Sequence, residues 1–179
     1  MKPNVPAIIE TERLRLRPLS ADDAEFMLRL LNERSFLDNI GDRGVRTIED
    51  ARAYLAEGPL ASYERFGFGL CRVELKETTV PTGICGLLKR DVLEDVDIGY
   101  ALFPEFWSKG YAHEAATAIM TLAREQFGFK RVLAITNPNN KSSIRLLEKM
   151  SFRFERMVRL TDDAPESKLF ARHFHDDNN

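Results

Sequence analysis

The sequence predicts a mixed α/β protein with a largely antiparallel front, and three observations predict it. Apolar and polar residues alternate with a period of two in several short stretches, such as Leu14-Arg15-Leu16-Arg17 and Asp97-Ile98-Gly99-Tyr100-Ala101-Leu102, the mark of half-buried strands. Elsewhere apolar residues recur at spacings of three and four, as at Ala112, Ala115, Ile119, Ala123 and Phe127, the mark of one helix face. The two periods follow one another in the order βααβββαβαββ, which calls for one mixed sheet with helices packed on it.

Taken in order, residues Glu12 to Pro18 form the first strand. Ser20, with Asp22 and Asp23 in the following turn, opens a helix whose buried stripe is Phe26, Met27, Leu30 and Leu31. Asn39 to Gly44 is turn-rich, and Thr47 caps a second helix running to about Leu55. Gly58-Pro59 marks a turn before a short segment ending at Tyr63. Phe66, Phe68 and Leu70 alternate with Gly67 and Gly69, so a strand is expected from Phe66 to Leu75. A hairpin turn at Lys76 to Thr79 leads into a strand from Thr82 to Lys89, and a polar turn at Asp91 to Asp95 leads into the strand at Asp97. Pro104 ends that strand because it has no N–H to give a ladder. After the long helix, Arg131 to Thr136 is a buried strand ended by Asn137-Pro138. Asn139 or Asn140 caps the next helix, with Ile144, Leu147 and Met150 on its inner face. Two closing strands are expected at Phe152 to Leu160 and Lys168 to Phe174, with 175–179 frayed.

Length and composition bound the rest. The chain has 179 residues, of which 44% are hydrophobic and 30% charged, the profile of one globular domain over 1–179 with its own core. A net charge of −2 supplies no global field to recruit nucleic acid or an anionic membrane. No apolar run approaches the roughly 20 residues of a membrane span, and the first residues carry charges where a signal peptide needs an apolar stretch. Cys71 and Cys85 lack CxxC spacing and read as buried reduced thiols, so the expected compartment is the cytoplasm. His113, His173 and His175 form no zinc pattern, and no metal is expected.

The joint after the central strand is where chemistry is expected. Strand, then Trp107-Ser108-Lys109-Gly110-Tyr111-Ala112, then helix, aims the unpaired amides of a first helical turn at an anion. Gly110 permits close approach, Lys109 adds charge, and a diphosphate suits the joint. Walker spacing and G-x-G-x-x-G are both absent, which argues against a nucleotide-phosphate binder.

Two stretches, WSKGYAHEA and NPNNKSSIRLLEKMSF, together resemble the GNAT acyltransferase superfamily, most closely its RimJ/RimL-type branch. The first is similar to that family's Q/R-x-x-G-x-G/A loop and the second to its N-x-x-S…E-K-x-G-F run. Trp107 stands in place of Gln or Arg, and Ser108 in place of a glycine frequent in this branch. The resemblance covers nearly the whole chain and implies a mixed, mostly antiparallel central sheet of about seven strands flanked by about four helices, with the fourth and fifth strands splayed around acetyl-CoA.

It also implies roles. Trp107, Ser108, Lys109, Gly110, Tyr111 and Ala112 would cradle the diphosphate, and Ala101, Leu102 and Phe103 would line the thioester arm. The oxyanion donor would be a backbone N–H near Ala101 or Leu102. Asp97 would take the acceptor's proton, with Glu94 and Glu105 as alternatives and an ordinary strand carboxylate as the plain reading. Many members place a tyrosine on the helix after the fifth strand; here Ile144 to Met150 offers none, and Ser143 would serve the departing thiolate unless it only bonds the helix backbone. Asn140 would contact the pantetheine arm or cap the helix. The implied partners are acetyl-CoA and a primary amine, either a protein N-terminus or a small molecule. The chain would be a monomer or a homodimer paired through its C-terminal strands. The competing class is a non-catalytic acyl-CoA-binding domain of the same fold.

Overall fold

Eight strands form one sheet: β1 (Ile9–Glu10), β2 (Leu14–Pro18), β3 (Leu70–Leu75), β4 (Pro81–Leu88), β5 (Asp97–Leu102), β6 (Arg131–Thr136), β7 (Arg153–Val158) and β8 (Ser167–His173). Their spatial order is β1-β2-β3-β4-β5-β6-β8-β7. Neighbours run antiparallel except β5 and β6, which are parallel. The computed structural model describes residues 7–174, so the expected fraying of 175–179 lies outside the described residues.

The helices are α1 (Ala24–Leu31), α2 (Arg34–Asn39), α3 (Ile48–Leu55), α4 (Ala61–Phe66), α5 (Tyr111–Glu125) and α6 (Lys141–Lys149). Alternation along the strands divides the core between two faces. Val73, Cys85, Leu87 and Ile98 pack with Ala115, Ile119 and Met120 of α5 and Leu147 of α6. Leu70, Ile84 and Phe103 pack on the other face with Met27, Leu30 and Leu31 of α1 and Leu55 of α3. Cys71 and Cys85 face each other across β3 and β4 as buried free thiols, and burial pushes the Cys71 thiol up to about 12. No helix of the described residues is long and apolar enough to cross a membrane.

Four local expectations differ from the structure. The two-residue β1 adds an eighth strand at the sheet edge. Residues 34–39, between two expected helices, are themselves helical, started by a Glu33 carboxylate that accepts from the Arg34 N–H. Gly58-Pro59 does not stop the helix. The chain widens into a π-turn over Ala56–Leu60 around Pro59, which has no N–H to donate, and continues into α4. Phe66 therefore closes a helix rather than opening a strand. Gly67 sits at φ +77 and gives its N–H to the Tyr63 carbonyl at 2.9 Å, so β3 begins only at Leu70.

One charged cluster is buried where β2 and β3 meet the turn before α1. The Asp23 carboxylate accepts from Arg17 at 2.7 Å and Arg72 at 2.8 Å, and Arg72 also pairs with Glu74 at 3.2 Å. Burial pushes the Asp23 carboxyl up, but hydrogen bonds from Arg17, the Ser20 N–H and Arg72 outweigh it and hold it below its ordinary value. Such a group stabilises the fold above its unfolded pKa and stops doing so as pH falls through the lower folded one. Asp23→Asn should therefore cost about 3–5 kcal/mol at pH 7, because it removes a buried charge shared by two guanidinium groups and leaves Glu74 alone to offset both. Urea unfolding should show this deficit narrowing as pH falls below about 4.

Candidate active site

The site begins where the two halves of the sheet meet. The register of β5 and β6 contains one pair, Asp97 opposite Leu133, and the Leu133 N–H reaches the Val96 carbonyl at 2.9 Å. Past that point the strands diverge, as expected for the fourth and fifth strands, and a cleft of about 730 Å³ opens between them. Its size is that of a small-molecule site.

The edge of β5 along the cleft carries free amides. Phe103 gives its N–H to Thr82 at 2.9 Å, in register with the antiparallel β4–β5 ladder. Alternation then turns the Ala101 N–H toward β4 as well, and turns the amides of Tyr100 and Leu102 toward the gap. Of the two amides considered for an oxyanion, the Ala101 amide is committed to the ladder and the Leu102 amide faces the cleft.

The loop after β5 is held in an unusual shape. A 3-10 turn at Pro104–Phe106 follows the strand, and the Trp107 indole N–H returns to the Leu102 carbonyl at 2.9 Å. Ser108 at φ +58 and Gly110 at φ +82 are both left-handed, a conformation that costs a serine of order 1 kcal/mol. Among the described residues, none of the amides from Ser108 to His113 donates to a backbone carbonyl; the first bond of α5 runs from the Glu114 N–H to the Gly110 carbonyl at 3.0 Å. Consecutive free amides at the start of a 15-residue helix make a cradle whose geometry suits an anion.

Arg13 braces this cradle from a distance of nearly a hundred residues. Its Nη1 donates to the Lys109 carbonyl at 2.9 Å, and its Nε donates to Glu114 at 2.7 Å. Glu114 also accepts from the Arg13 N–H at 2.8 Å and the Thr11 hydroxyl at 2.6 Å. A Cβ on Gly110 would lie 3.2 Å from Arg13 Nη2, so the brace and the glycine fit each other. Two expected contacts are corrected. The Lys109 ammonium turns back to the Glu105 carbonyl at 2.8 Å and does not line the cleft. Phe103 is fully buried beside Phe26 and contributes to the core instead.

On the opposite wall, Asn140 caps α6 by accepting from the Ser143 N–H at 3.1 Å. The Ser143 hydroxyl lies 2.8 Å from the Tyr100 hydroxyl. Burial pushes the Tyr100 phenol up to about 12 against the effect of the Ser143 bond, so it is protonated at neutral pH. The helix has no tyrosine, but the strand opposite supplies one. Its only sequence signal was that Tyr100 alternates with Ile98 onto the α5 and α6 face.

Asp97 lies at the floor of the cleft. It is fully buried, and Arg90 Nε stands 3.1 Å from each of its carboxylate oxygens. Burial raises its pKa, and Arg90 works against the rise. Glu94, 77% exposed, pairs with Arg131, and Glu105 pairs with Arg29 at 2.7 Å; neither lines the cleft. Ala101, Leu102, Trp107, Ser108, Gly110, Tyr111, Ala112, Asn140 and Ser143 all do.

Comparison with known proteins agrees with this arrangement. The model of the acetyltransferase (GNAT) domain family matches residues 13–153. An uncharacterized N-acetyltransferase of Bacillus subtilis (strain 168), YoaA, is 29% identical over 154 residues, covering 85% of this chain and 86% of that one. An acetyltransferase from Agrobacterium tumefaciens shares the fold with a TM-score of 0.80 at 23% identity, over 94% of this chain and 95% of the other. A structure of RimL, a ribosomal L7/L12 alpha-N-protein acetyltransferase in complex with coenzyme A, also superposes at 0.80, with 16% identity over 93% and 98% of the two chains. With the family match spanning the braced loop, the diverging strands and most of the sheet, the chain belongs to the GNAT acetyltransferase family.

Proposed function

We propose that this protein is an N-acetyltransferase that moves an acetyl group from acetyl-CoA to a primary amine by direct attack, with both substrates bound at once. The observation that carries the reading is the continuity of one cleft, from the free amides at Ser108 to His113, past the Tyr100–Ser143 pair, to the buried Asp97. Those amides suit a diphosphate, and the left-handed loop and its Arg13 brace are consistent with that use. Trp107, Tyr111 and Asn140 line the same cleft and would border the pantetheine arm. Acetyl-CoA, when bound, supplies the activated acetyl thioester. RimL, which shares the fold, acts on a protein α-amine, so the same acceptor class is open here.

The chain's residues then divide the work. The Leu102 N–H, on the free strand edge, donates to the carbonyl oxygen as charge gathers there. Asp97 takes the proton lost by the amine, directly or through water. Deprotonating a lysine amine at pH 7 costs about 4–5 kcal/mol and an α-amine only about 1.4 kcal/mol, so a buried carboxylate with a raised pKa suits the second better. As the carbon–sulfur bond breaks, the Ser143 hydroxyl donates a hydrogen bond to the departing sulfur, which leaves as the thiolate because a thiol pKa lies at about 8.5. Tyr100, protonated and buried, donates to the Ser143 oxygen and so turns the serine's own hydrogen into the cleft. Acetyl-CoA-dependent release of free thiol, screened across peptides beginning with Ala or Ser, simple amines and aminoglycosides, tests the reading; no release with any amine would leave a binding domain only.

Acetyl-CoA at about a hundred times its Kd should raise Tm by about 5–10 °C. Gly110→Glu should remove that shift, because it forces a side chain onto a left-handed position and sets a carboxylate in the cradle. Differential scanning fluorimetry of both proteins measures it.

Asp97→Asn should lower kcat/KM about 10²-fold at pH 7 with little change in acetyl-CoA affinity. A pH–rate profile should show recovery as pH approaches the amine's own pKa, since the acceptor then arrives neutral.

Tyr100→Phe should reproduce much of the kcat loss of Ser143→Ala, and the double variant should be no slower than the worse single one, because the two hydroxyls act in series. Neither loss should be repaired at high pH.

A further inference from the structure

The cleft is not balanced in charge, and the imbalance reaches its acceptor end. Among the described residues lining it, Arg43, Arg90, Lys141 and Arg145 are basic, and Asp97 is the one carboxylate. Lys141 and Arg145 belong to α6, on the wall that carries Ser143. Arg43 and Arg90 belong to the other end. Arg43 lies in the loop between α2 and α3 and Arg90 in the loop between β4 and β5, and both line the cleft together with Asp97.

The carboxylates that might neutralise this end are already engaged. Asp97 accepts from Arg90 Nε, Asp38 pairs with Arg34 at 2.9 Å, and Asp42 pairs with Arg46. Arg43 has no hydrogen bond or ion pair with any described residue, and Arg90 engages Asp97 through Nε alone, leaving Nη1 and Nη2 without a described partner. A guanidinium with open amino groups recognises a carboxylate by paired, charge-assisted bonds. No open carboxylate remains in the cleft to receive a second cationic group on the acceptor.

Resting on the transfer reading above, we propose that Arg43 and Arg90 form an anion subsite, and that the acceptor is a primary amine carrying a carboxylate within about a dipeptide's span, as at a peptide N-terminus followed by an acidic residue. The amine would sit at Asp97 and the carboxylate against the free edges of the two arginines. The same field disfavours polyamines and aminoglycosides, whose extra charges would meet unneutralised guanidinium groups. It also favours the neutral form of the reacting amine, since nearby positive charge lowers an ammonium pKa.

The test uses three acceptors whose α-amines are alike and whose second residues differ in charge: Ala-Asp-amide, Ala-Asn-amide and Ala-Lys-amide. Thiol release from acetyl-CoA should give kcat/KM at least ten-fold higher for Ala-Asp-amide than for Ala-Asn-amide, with Ala-Lys-amide lowest and the spread shrinking as salt rises. Arg43→Ala should bring the Asp-to-Asn ratio close to one, and Arg43→Glu should shift the preference toward Ala-Lys-amide. The Tm shift given by acetyl-CoA should remain in both variants, which shows that they fold. Equal rates for the three peptides, a preference for Ala-Lys-amide in the parent protein, or an unchanged ratio in Arg43→Ala overturns the anion subsite while leaving acetyl transfer intact. No thiol release from any peptide, with the acetyl-CoA shift still present, overturns the transfer reading and the subsite together.

Discussion

The molecule depends on a single point of contact between parallel strands. On one side of the sheet β1 to β5 are joined by antiparallel ladders, and on the other side so are β6, β8 and β7. Only Asp97 opposite Leu133 links the two halves by register. Had β5 and β6 paired along their length, the amides of Tyr100 and Leu102 would be spent in the ladder. The halves are held further by side chains they share, among them Val132, Ala134 and Phe170 packed with Ile98 of β5 and Ala115 and Ile119 of α5. One pair gives a fixed register and an open edge together, and exposed amides in a sheet interior are tolerated because the edge lines a cleft rather than a core.

The period of two along β5 then distributes the chemistry. Ile98 and Tyr100 fall on the face covered by α5 and α6, while Ala101 packs with the cluster built on α1 and α3. Asp97 shares the parity of Ala101. A carboxylate and a phenol three residues apart thus project from opposite faces of one strand. The two groups are thereby kept from pairing with each other. Arg90 fixes the first group from the turn that leads into β5, and Ser143 the second from a helix 43 residues further along the chain.

Features set by neighbouring residues were legible in the sequence. The alternation of Ile98, Tyr100 and Leu102, the stop at Pro104, the cap at Thr47 and the start of α5 after Gly110 all follow from local rules, and the structure contains them. The misreadings have local causes too. Phe66-Gly67-Phe68 imitates a strand's alternation, but the glycine there ends a helix, and spacing alone cannot separate the two. What stayed hidden was long-range. Arg13 on Glu114 and Tyr100 on Ser143 are each ordinary residues in an ordinary stretch until the fold brings them together. The family resemblance pointed to the loop and to Ser143, which both line the cleft, but not to the Tyr100 hydroxyl beside that serine, nor to Phe103 and the Lys109 ammonium lying away from the cleft.

The Arg13 brace makes the shape of the cradle a property of the whole fold. Its contacts to Lys109 and Glu114 span 96 and 101 residues of chain, and contacts of such separation form late because loop closure must precede them. A cradle shaped by its own local turns would persist in a partly assembled chain. This one becomes competent only when β2 has docked between its neighbours and α5 has settled beside it. An anion that bound there would therefore report completed assembly, and by mass action it would stabilise the folded chain as a whole.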